Sequence, residues 1–213
     1  MIQIRNLSKA FGEHIIFDHF NLTVNDGEFV VLAGESGSGK TTLLNIIGAL
    51  EKFDDGQVYV DGIDINNAKN HRLYYANTVG FLFQNFVLIE DKTVKQNLSL
   101  IRKCNASGTS MEDALRCVGL VDKIDSKVFT LSGGEQQRIA LARLMIKKCS
   151  LILADEPTGS LDKKNAERVL TILEDLNKQG KTVIIVTHDE GIKNRGWRVV
   201  ELCKPRKNLQ KPH

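Results

Sequence analysis

The run Gly34-Glu35-Ser36-Gly37-Ser38-Gly39-Lys40-Thr41 sets Gly34, Gly39, Lys40 and Thr41 at the spacing G-x-x-x-x-G-K-[ST]. Glycines at such positions let successive backbone N–H groups turn inward as an anion nest, and a helix starting there adds its positive dipole end. Lys40 then reaches the β and γ phosphates of a nucleotide, and Thr41 offers its hydroxyl to Mg²⁺. With Thr42 in the same first turn, these residues form the candidate nucleotide-binding set. Far downstream, Leu131-Ser132-Gly133-Gly134-Glu135-Gln136-Gln137-Arg138 contains a second glycine-rich helix start. Ser132 and Glu135 stand at capping-box spacing, and a glycine-rich helix N-terminus is also an anion site, so both roles are open. Two further sets of chemical groups follow apolar runs. Asp155 and Glu156 end Leu151-Ile152-Leu153-Ala154, and His188 follows Thr182–Val186. Alone, a strand ending in Asp-Glu is the start of a solvated loop and a lone His after a strand is a surface residue. Ligands of parallel sheets, however, bind at the carboxyl ends of strands.

The elements that must position these groups are legible in outline. Ile2–Ile4 and Phe20–Val24 alternate as strands, and the turn Asp26-Gly27 precedes the apolar run Phe29–Ala33. Residues 41–50 carry Leu43, Leu44, Ile46, Ile47 and Leu50 at helical spacing directly after the glycine loop. Strand, glycine loop and helix are the context a phosphate loop requires. A strand and turn run from Gln57 to Ile65 around Asp61-Gly62, and a helical pattern extends from Val94 to about Lys148. Within it Ser110 and Asp113 suggest a capping box, Gly119 a stop, and Glu135 to about Lys147 a helix. A strand at Leu151–Ala154, a helix from about Asp162 to Gln179 stopped by Gly180, a strand at Thr182–Val186 and a last strand near Arg198–Leu202 complete the chain. Buried strands alternating with helices indicate a mainly parallel α/β sheet.

With 213 residues, three prolines and no low-complexity tract or repeat, the chain reads as one domain. Lys plus Arg number 29 against 26 Asp plus Glu, a formal charge of +3 that argues for no nucleic-acid partner. The basic residues Lys204, Arg206, Lys207 and Lys211 near the C-terminus read as a solvated tail, with anionic lipid contact as the minor alternative. Cys104, Cys117, Cys149 and Cys203 form no CxxC pair, which fits reduced thiols in a cytoplasmic protein. The apolar runs are strand-length, so any membrane role is expected to come through another polypeptide, and no signal peptide opens the sequence.

In their order along the chain these motifs resemble the ATP-binding cassette family, over residues 1 to about 202. The resemblance implies a P-loop NTPase core with a mainly parallel sheet, an N-terminal antiparallel β subdomain and an inserted α-helical subdomain. The core would span 1–84 and 150–202, the helical subdomain about 85–149, and the basic tail 203–213. It also implies roles. Asp155 organises Mg²⁺ with Thr41, and Glu156 is the general base toward water. His188 senses the γ-phosphate, and Gln84 in Phe83-Gln84-Asn85 touches the metal and relays nucleotide state. Ser132 and Gly134, with Gly133 between them, contact ATP held by the phosphate loop of a second subunit. Ser160-Leu161-Asp162 matches a loop along the dimer interface, although Asp162 is equally a helix N-cap. Where the family commonly stacks a tyrosine on adenine, this chain has Phe11, whose ring suffices for stacking but also suits a core. Lys40, Glu156 and His188 would be the catalytic residues, and ATP and Mg²⁺ the cofactors.

The implied protein is a homodimer formed on ATP binding, peripheral on the cytoplasmic face of the plasma membrane, that drives a separate integral membrane permease. Leu44-Asn45-Ile46-Ile47-Gly48 and Glu156-Pro157-Thr158-Gly159-Ser160-Leu161-Asp162 are similar to the branch serving macrolide and peptide exporters, lipoprotein release and cell division. Phe83-Gln84-Asn85-Phe86-Val87-Leu88-Ile89 is similar to cassettes of bacteriocin export. The expected cargo is therefore a peptide such as a bacteriocin, an antimicrobial or a lipoprotein. The alternative is a non-transport ATPase of the division-regulator, metal-cluster-assembly or DNA-repair type. The DNA-repair type would place a coiled coil between Gln84 and Ser132, and no sustained heptads occur there.

Overall fold

A computed structural model describes residues 1–159 and 161–204. The first two strands, β1 (Ile2–Phe11) and β2 (His14–Val24), are one long antiparallel hairpin, paired from Ile2↔Val24 to Phe11↔His14 around Gly12. Two more strands, β4 (Asp55–Val60) and β5 (Ile63–Asp64), join across Asp61-Gly62. Both linking residues have positive φ, the twist that a two-residue hairpin turn needs. Together they make a four-stranded antiparallel sheet of order β2-β1-β4-β5.

The second sheet is parallel throughout. It contains β3 (Phe29–Ala33), β6 (Val79–Leu82), β7 (Leu151–Asp155), β8 (Thr182–Val186) and β9 (Arg198–Glu201), in the order β6-β7-β8-β3-β9. Because successive side chains point to opposite faces, β6, β7, β8 and β3 each feed two cores, while the edge strand β9 is mostly exposed. Val31, Ile152, Ala154, Val183 and Ile185 face one layer with α3 (Val94–Leu98), α4 (Met111–Val118), α5 (Gly133–Ile146) and α6 (Lys163–Lys178). Val30, Leu32, Leu151, Leu153, Ile184 and Val186 face the other, with α1 (Lys40–Ile47), Tyr74 of α2 (Ala68–Asn77) and Ile2, Ile4, Val58 and Val60 of the antiparallel sheet. Covering on both faces is why β3 and β8 are apolar at almost every position and fully buried.

The architecture is the expected α/β one, with corrections in detail. The helix after the glycine loop stops at Ile47, because the backbone leaves the helical region at Ala49, at φ 55; its cap Gly48 packs so closely on Phe81 that a Cβ would sit 2.6 Å from the ring. The helical stretch from Val94 to Lys148 is broken into three helices by 3₁₀ turns at Lys103–Asn105, Val121–Lys123 and Val128–Thr130. Ser110 does cap α4, accepting from the Asp113 N–H at 3.0 Å, but its reciprocal bond runs hydroxyl to carboxylate at 2.6 Å instead of through the Ser110 backbone. Gly119, at φ 69, ends α4 as expected. Helix α2, strand β6 and the short α7 (Glu190–Lys193) are additions. Among the described residues no helix is long and apolar enough to cross a membrane. Pro205–His213, which hold most of the basic tail, lie outside the described residues.

One buried side chain secures the path from β6 into the helical layer. Asn97 is fully buried; its carboxamide accepts from the Ile89 N–H at 2.8 Å and donates to the Ile89 and Thr93 carbonyls at 3.0 and 3.1 Å. Replacing it leaves buried backbone groups unpaired. Asn97→Ala is expected to lower unfolding free energy by about 2–3 kcal/mol, measured by urea titration of the purified chain.

Candidate active site

Four loops leave the same edge of the parallel sheet, and the register brings them together. Leu32 pairs with Val186, Asp155 with Val186, and Leu82 with Ala154, so residues following β3, β8, β7 and β6 emerge side by side. These are the glycine loop, the Thr187-His188 segment, Glu156 and Gln84.

The glycine loop has a shape only glycine allows at two points. Gly34 has φ 139, and a Cβ there would overlap the Leu202 carbonyl and lie 2.7 Å from Ser38 Oγ. Gly39 has φ 92, and a Cβ would lie 2.5 Å from Ile16 and 2.8 Å from Phe17, both on β2. The loop is thus clamped between the hairpin and the end of β9. Gly39 is the N-cap of α1, which receives no side-chain cap and has no acidic residue in its first turn, so the first-turn N–H groups of Lys40, Thr41 and Thr42 point outward as donors. The Ser38 hydroxyl is buried without a hydrogen-bond partner among the described residues. Lys40 Nζ donates to the Gly34 and Glu35 carbonyls at 2.7 and 2.8 Å, which holds its charge over the loop. Uncapped donors, an unpaired hydroxyl and a poised ammonium fit an oligophosphate. Beside the loop lies an open cavity of about 830 Å³ lined by Gly34, Glu35, Ser36, His188 and Lys204 among others, with Glu35 and Lys204 paired at 3.3 Å. Gly37 is exposed at the loop's outer bend.

The carboxylates fit a metal between phosphate and protein. Thr41 Oγ1 donates to Asp155 Oδ1 at 3.3 Å. Burial pushes the Asp155 carboxyl above its ordinary value; the Thr41 hydroxyl pulls it down, the neighbouring Glu156 charge pushes it up and Lys40 pulls it down again. A half-buried carboxylate beside a like charge gains from a cation. Two side-chain oxygens and a carboxamide suit Mg²⁺, which keeps few protein ligands and takes the rest from phosphates and water. Gln84 is exposed just past β6, on the Asp155 side of the sheet edge.

Glu156 sits at φ 45, a left-handed conformation that costs a non-glycine residue about 1–3 kcal/mol. Its N–H donates to the Val186 carbonyl at 2.9 Å, which fixes the turn. Its carboxylate lies 2.9 Å from His188 Nδ1 and accepts from the Thr187 hydroxyl at 3.4 Å. A carboxylate aimed by a histidine and a threonine can take a proton from a positioned water.

The second glycine-rich segment is a complete capping box. Ser132 Oγ–H and Ser132 N–H both donate to Glu135 Oε2 at 2.8 Å, and the Glu135 N–H donates to Ser132 Oγ at 3.3 Å. These bonds hold the Glu135 carboxyl below its usual range. Gly133 is exposed and Gly134 half-buried in the first turn of α5, on the sheet face opposite α1. Asp162 is the N-cap of α6, accepting from the Asn165 N–H at 2.9 Å; Ser160 lies outside the described residues. Phe11 ends β1 at the tip of the hairpin that packs on Gly39, half-exposed, with Lys9 Nζ 4.4 Å from its ring centre. The structure therefore groups the glycine loop, Asp155, Glu156, His188 and Gln84 at one edge, and sets Ser132, Gly133, Gly134 and Asp162 at the starts of two helices in the other layer.

Sequence reading missed the residues that aim these groups. Thr187 sits against Glu156, buried Gln137 donates to the Pro157 carbonyl at 2.8 Å, and Arg138 bonds Asn165, which bonds Asp162. Arg143 donates to the Phe86 and Val87 carbonyls. Polar residues set in the apolar run of α5 were the available signal.

The family model described as "ABC transporter" matches residues 17–159. The macrolide export ATP-binding/permease protein MacB of Campylobacter jejuni is 41% identical over 210 residues, covering 95% of this chain and 33% of that protein. The chain thus spans about a third of the length of such relatives. The ABC transporter ATP-binding protein MJ0796 of Methanocaldococcus jannaschii is 41% identical over 218 residues, covering 95% of this chain and 93% of the relative. The dimeric structure of MJ0796 in a post-hydrolysis state bound to ADP and Pi superposes with a TM-score of 0.82 at 36% identity, covering 96% and 95% of the two chains.

The raised Asp155 carboxyl has a measurable consequence. Its contribution to stability is present below the ordinary value of 3.8 and is lost as pH rises through the higher folded-state value. Asp155→Asn cannot ionise. In EDTA without nucleotide, its melting temperature is expected to exceed that of the wild type by a margin that widens from about pH 4 to pH 7, followed by scanning calorimetry.

Proposed function

The chain belongs to the ABC transporter family and is an ATPase, and from that premise we propose that it works as a homodimer that powers a separate membrane permease for export. Each of two composite sites takes its phosphate loop from one protomer and its Ser132 segment from the other. The permease supplies the membrane passage, and the ATPase docks on its cytoplasmic face. The cargo we infer is a peptide, such as a bacteriocin, an antimicrobial or a lipoprotein. Support comes from the motif run around Gln84 and from relatives that include macrolide exporters.

One observation carries the composite site. In this chain neither Gly133 nor Gly134 is needed by its own fold. Both are in regular helix, and a Cβ on them would meet only ordinary contacts, 4.0 Å from Phe86 and 3.6 Å from Leu161. Glycine in a helix costs about 1 kcal/mol relative to alanine. Two in succession at a helix N-terminus, the first exposed and the second half-buried, suit close approach of an anion from outside the protomer.

The residues then divide the work. The first-turn amides of α1 and Lys40 hold the phosphates, Lys40 exchanging its bonds to Gly34 and Glu35 for phosphate oxygens. Thr41, Asp155 and Gln84 would hold Mg²⁺, which when bound neutralises charge developing on the transferred phosphoryl group. Glu156 accepts the proton of the attacking water, aimed by Thr187 and by His188, which also reaches the γ-phosphate. Phe11 offers a ring for adenine to stack on, and Asp162 fixes the start of α6 near Ser132. Positioning and charge stabilisation supply most of the rate.

Gly134→Ala is expected to leave the melting temperature equal or higher while ATP turnover falls at least about 100-fold, because a methyl blocks the partner's phosphate but helps the helix. A variant that melts early would place Gly134 in the fold instead. Glu156→Gln is expected to bind ATP, lose turnover by about 10²–10⁴-fold, and migrate as an ATP-dependent dimer in size-exclusion chromatography. Recovery of an integral membrane protein with the dimer tests the transport reading.

A further inference from the structure

We infer that Arg143 is a positioning residue for Gln84, holding the loop after β6 in a conformation it would otherwise leave. The inference rests on the reading of Gln84 as a metal-side ligand. Arg143 lies in the last turn of α5, and its guanidinium turns away from its own helix. Nη1 donates to the Val87 carbonyl at 2.6 Å and Nη2 to the Phe86 carbonyl at 3.0 Å. Phe86 and Val87 are consecutive residues at φ 59 and 48. An aromatic and a β-branched residue rarely adopt the left-handed region, and such strain persists only where surrounding structure over-determines it.

The bonds inside the turn are two, from Phe86 N–H to the Phe83 carbonyl at 3.1 Å and from Val87 N–H to the Asn85 carbonyl at 2.6 Å. Those leave the Phe86 and Val87 carbonyls to the arginine. Among the described residues no carboxylate forms an ion pair with Arg143, and burial alone pulls its pKa down. A half-buried cation balanced by carbonyl dipoles gives up part of its hydration for no ion pair among the described residues, so its presence calls for a reason beyond packing. A planar fork that bridges two adjacent carbonyls supplies one, because its two nitrogens fix both carbonyls at once in a rigid geometry, which an ammonium on a flexible stem does not impose.

Gln84 stands between β6 and this turn. With β6 anchored by its pairing to β7, the turn at Phe86-Val87 is the other end of the segment that sets the direction of Gln84. The same turn brings the Phe86 ring to 4.0 Å from the Cβ position of Gly133. One guanidinium therefore ties the metal-side loop to the helix that begins at Ser132.

The test compares Arg143→Lys, Gln84→Ala and the wild type by calorimetric ATP binding with and without Mg²⁺, and by hydrogen exchange of amides 84–88. Arg143→Lys is expected to bind ATP in EDTA within twofold of wild type. It should need about tenfold more Mg²⁺ for the same tightening of ATP binding, equivalent to about 1.4 kcal/mol, and exchange those amides faster. Adding Val87→Gly, which removes the steric penalty at positive φ, is expected to restore most of the Mg²⁺ response. A normal Mg²⁺ response in Arg143→Lys beside a defective one in Gln84→Ala overturns the role of Arg143. Normal responses in both overturn the metal-side role of Gln84. Loss of binding in EDTA, or no rescue by Val87→Gly, makes Arg143 a packing residue and also overturns the proposal.

Discussion

Everything at the nucleotide edge depends on the parallel register of β6, β7, β8 and β3. Parallel strands start and finish in the same direction, so their carboxyl ends and the loops leaving them gather at one edge. The pairing of Asp155 with Val186 places Glu156 beside Thr187 and His188, and that of Leu32 with Val186 sets the glycine loop next to them. A slip of one residue would do more than misalign these groups. It would turn Ile152 and Ala154 from the helical layer to the antiparallel one, exchanging two packed cores. The apolar alternation thus enforces the geometry of the site.

The two cores divide the labour. On one side, the long hairpin and α1 grip the glycine loop, with Ile16 and Phe17 against Gly39 and the end of β9 against Gly34. On the other, α5 carries polar arms from a single helix. Gln137 reaches the Pro157 carbonyl just past Glu156, Arg138 reaches the cap of α6 through Asn165, and Arg143 reaches the turn after Gln84. A displacement of α5 is felt at each of these loops through hydrogen bonds, which are directional, as well as through apolar packing, which is not.

How much of this was legible in the sequence follows from how local each signal is. The glycine loop, Leu151–Asp155 and Thr182–Val186 were readable because each is a contiguous run bounded by punctuation, and the strand Thr182–Val186 agrees at both ends. Helix α2 has Tyr74 as its only buried residue, so it shows no apolar stripe to read. Strand β6 has four residues and includes Gly80, where a Cβ would lie 2.4 Å from Leu144, a contact made by chain far away in sequence. The left-handed backbone at Glu156, Phe86 and Val87 was illegible for a related reason: side-chain type argues against it, and only tertiary bonds impose it. The candidate site residues could be read from motif order, while the residues that aim them needed coordinates.

The capping box at Ser132 bears on the kind of free energy this surface can deliver. The Ser132 hydroxyl proton is already held by a carboxylate at 2.8 Å, and so is its backbone N–H. An anion arriving there takes the hydroxyl only by exchange with Glu135, and what it gains is the difference between two charge-assisted hydrogen bonds. Such a contact adds little net affinity and much discrimination, since only an acceptor as strong and as well placed as the carboxylate can win it. The arrangement favours an association that is selective and readily undone.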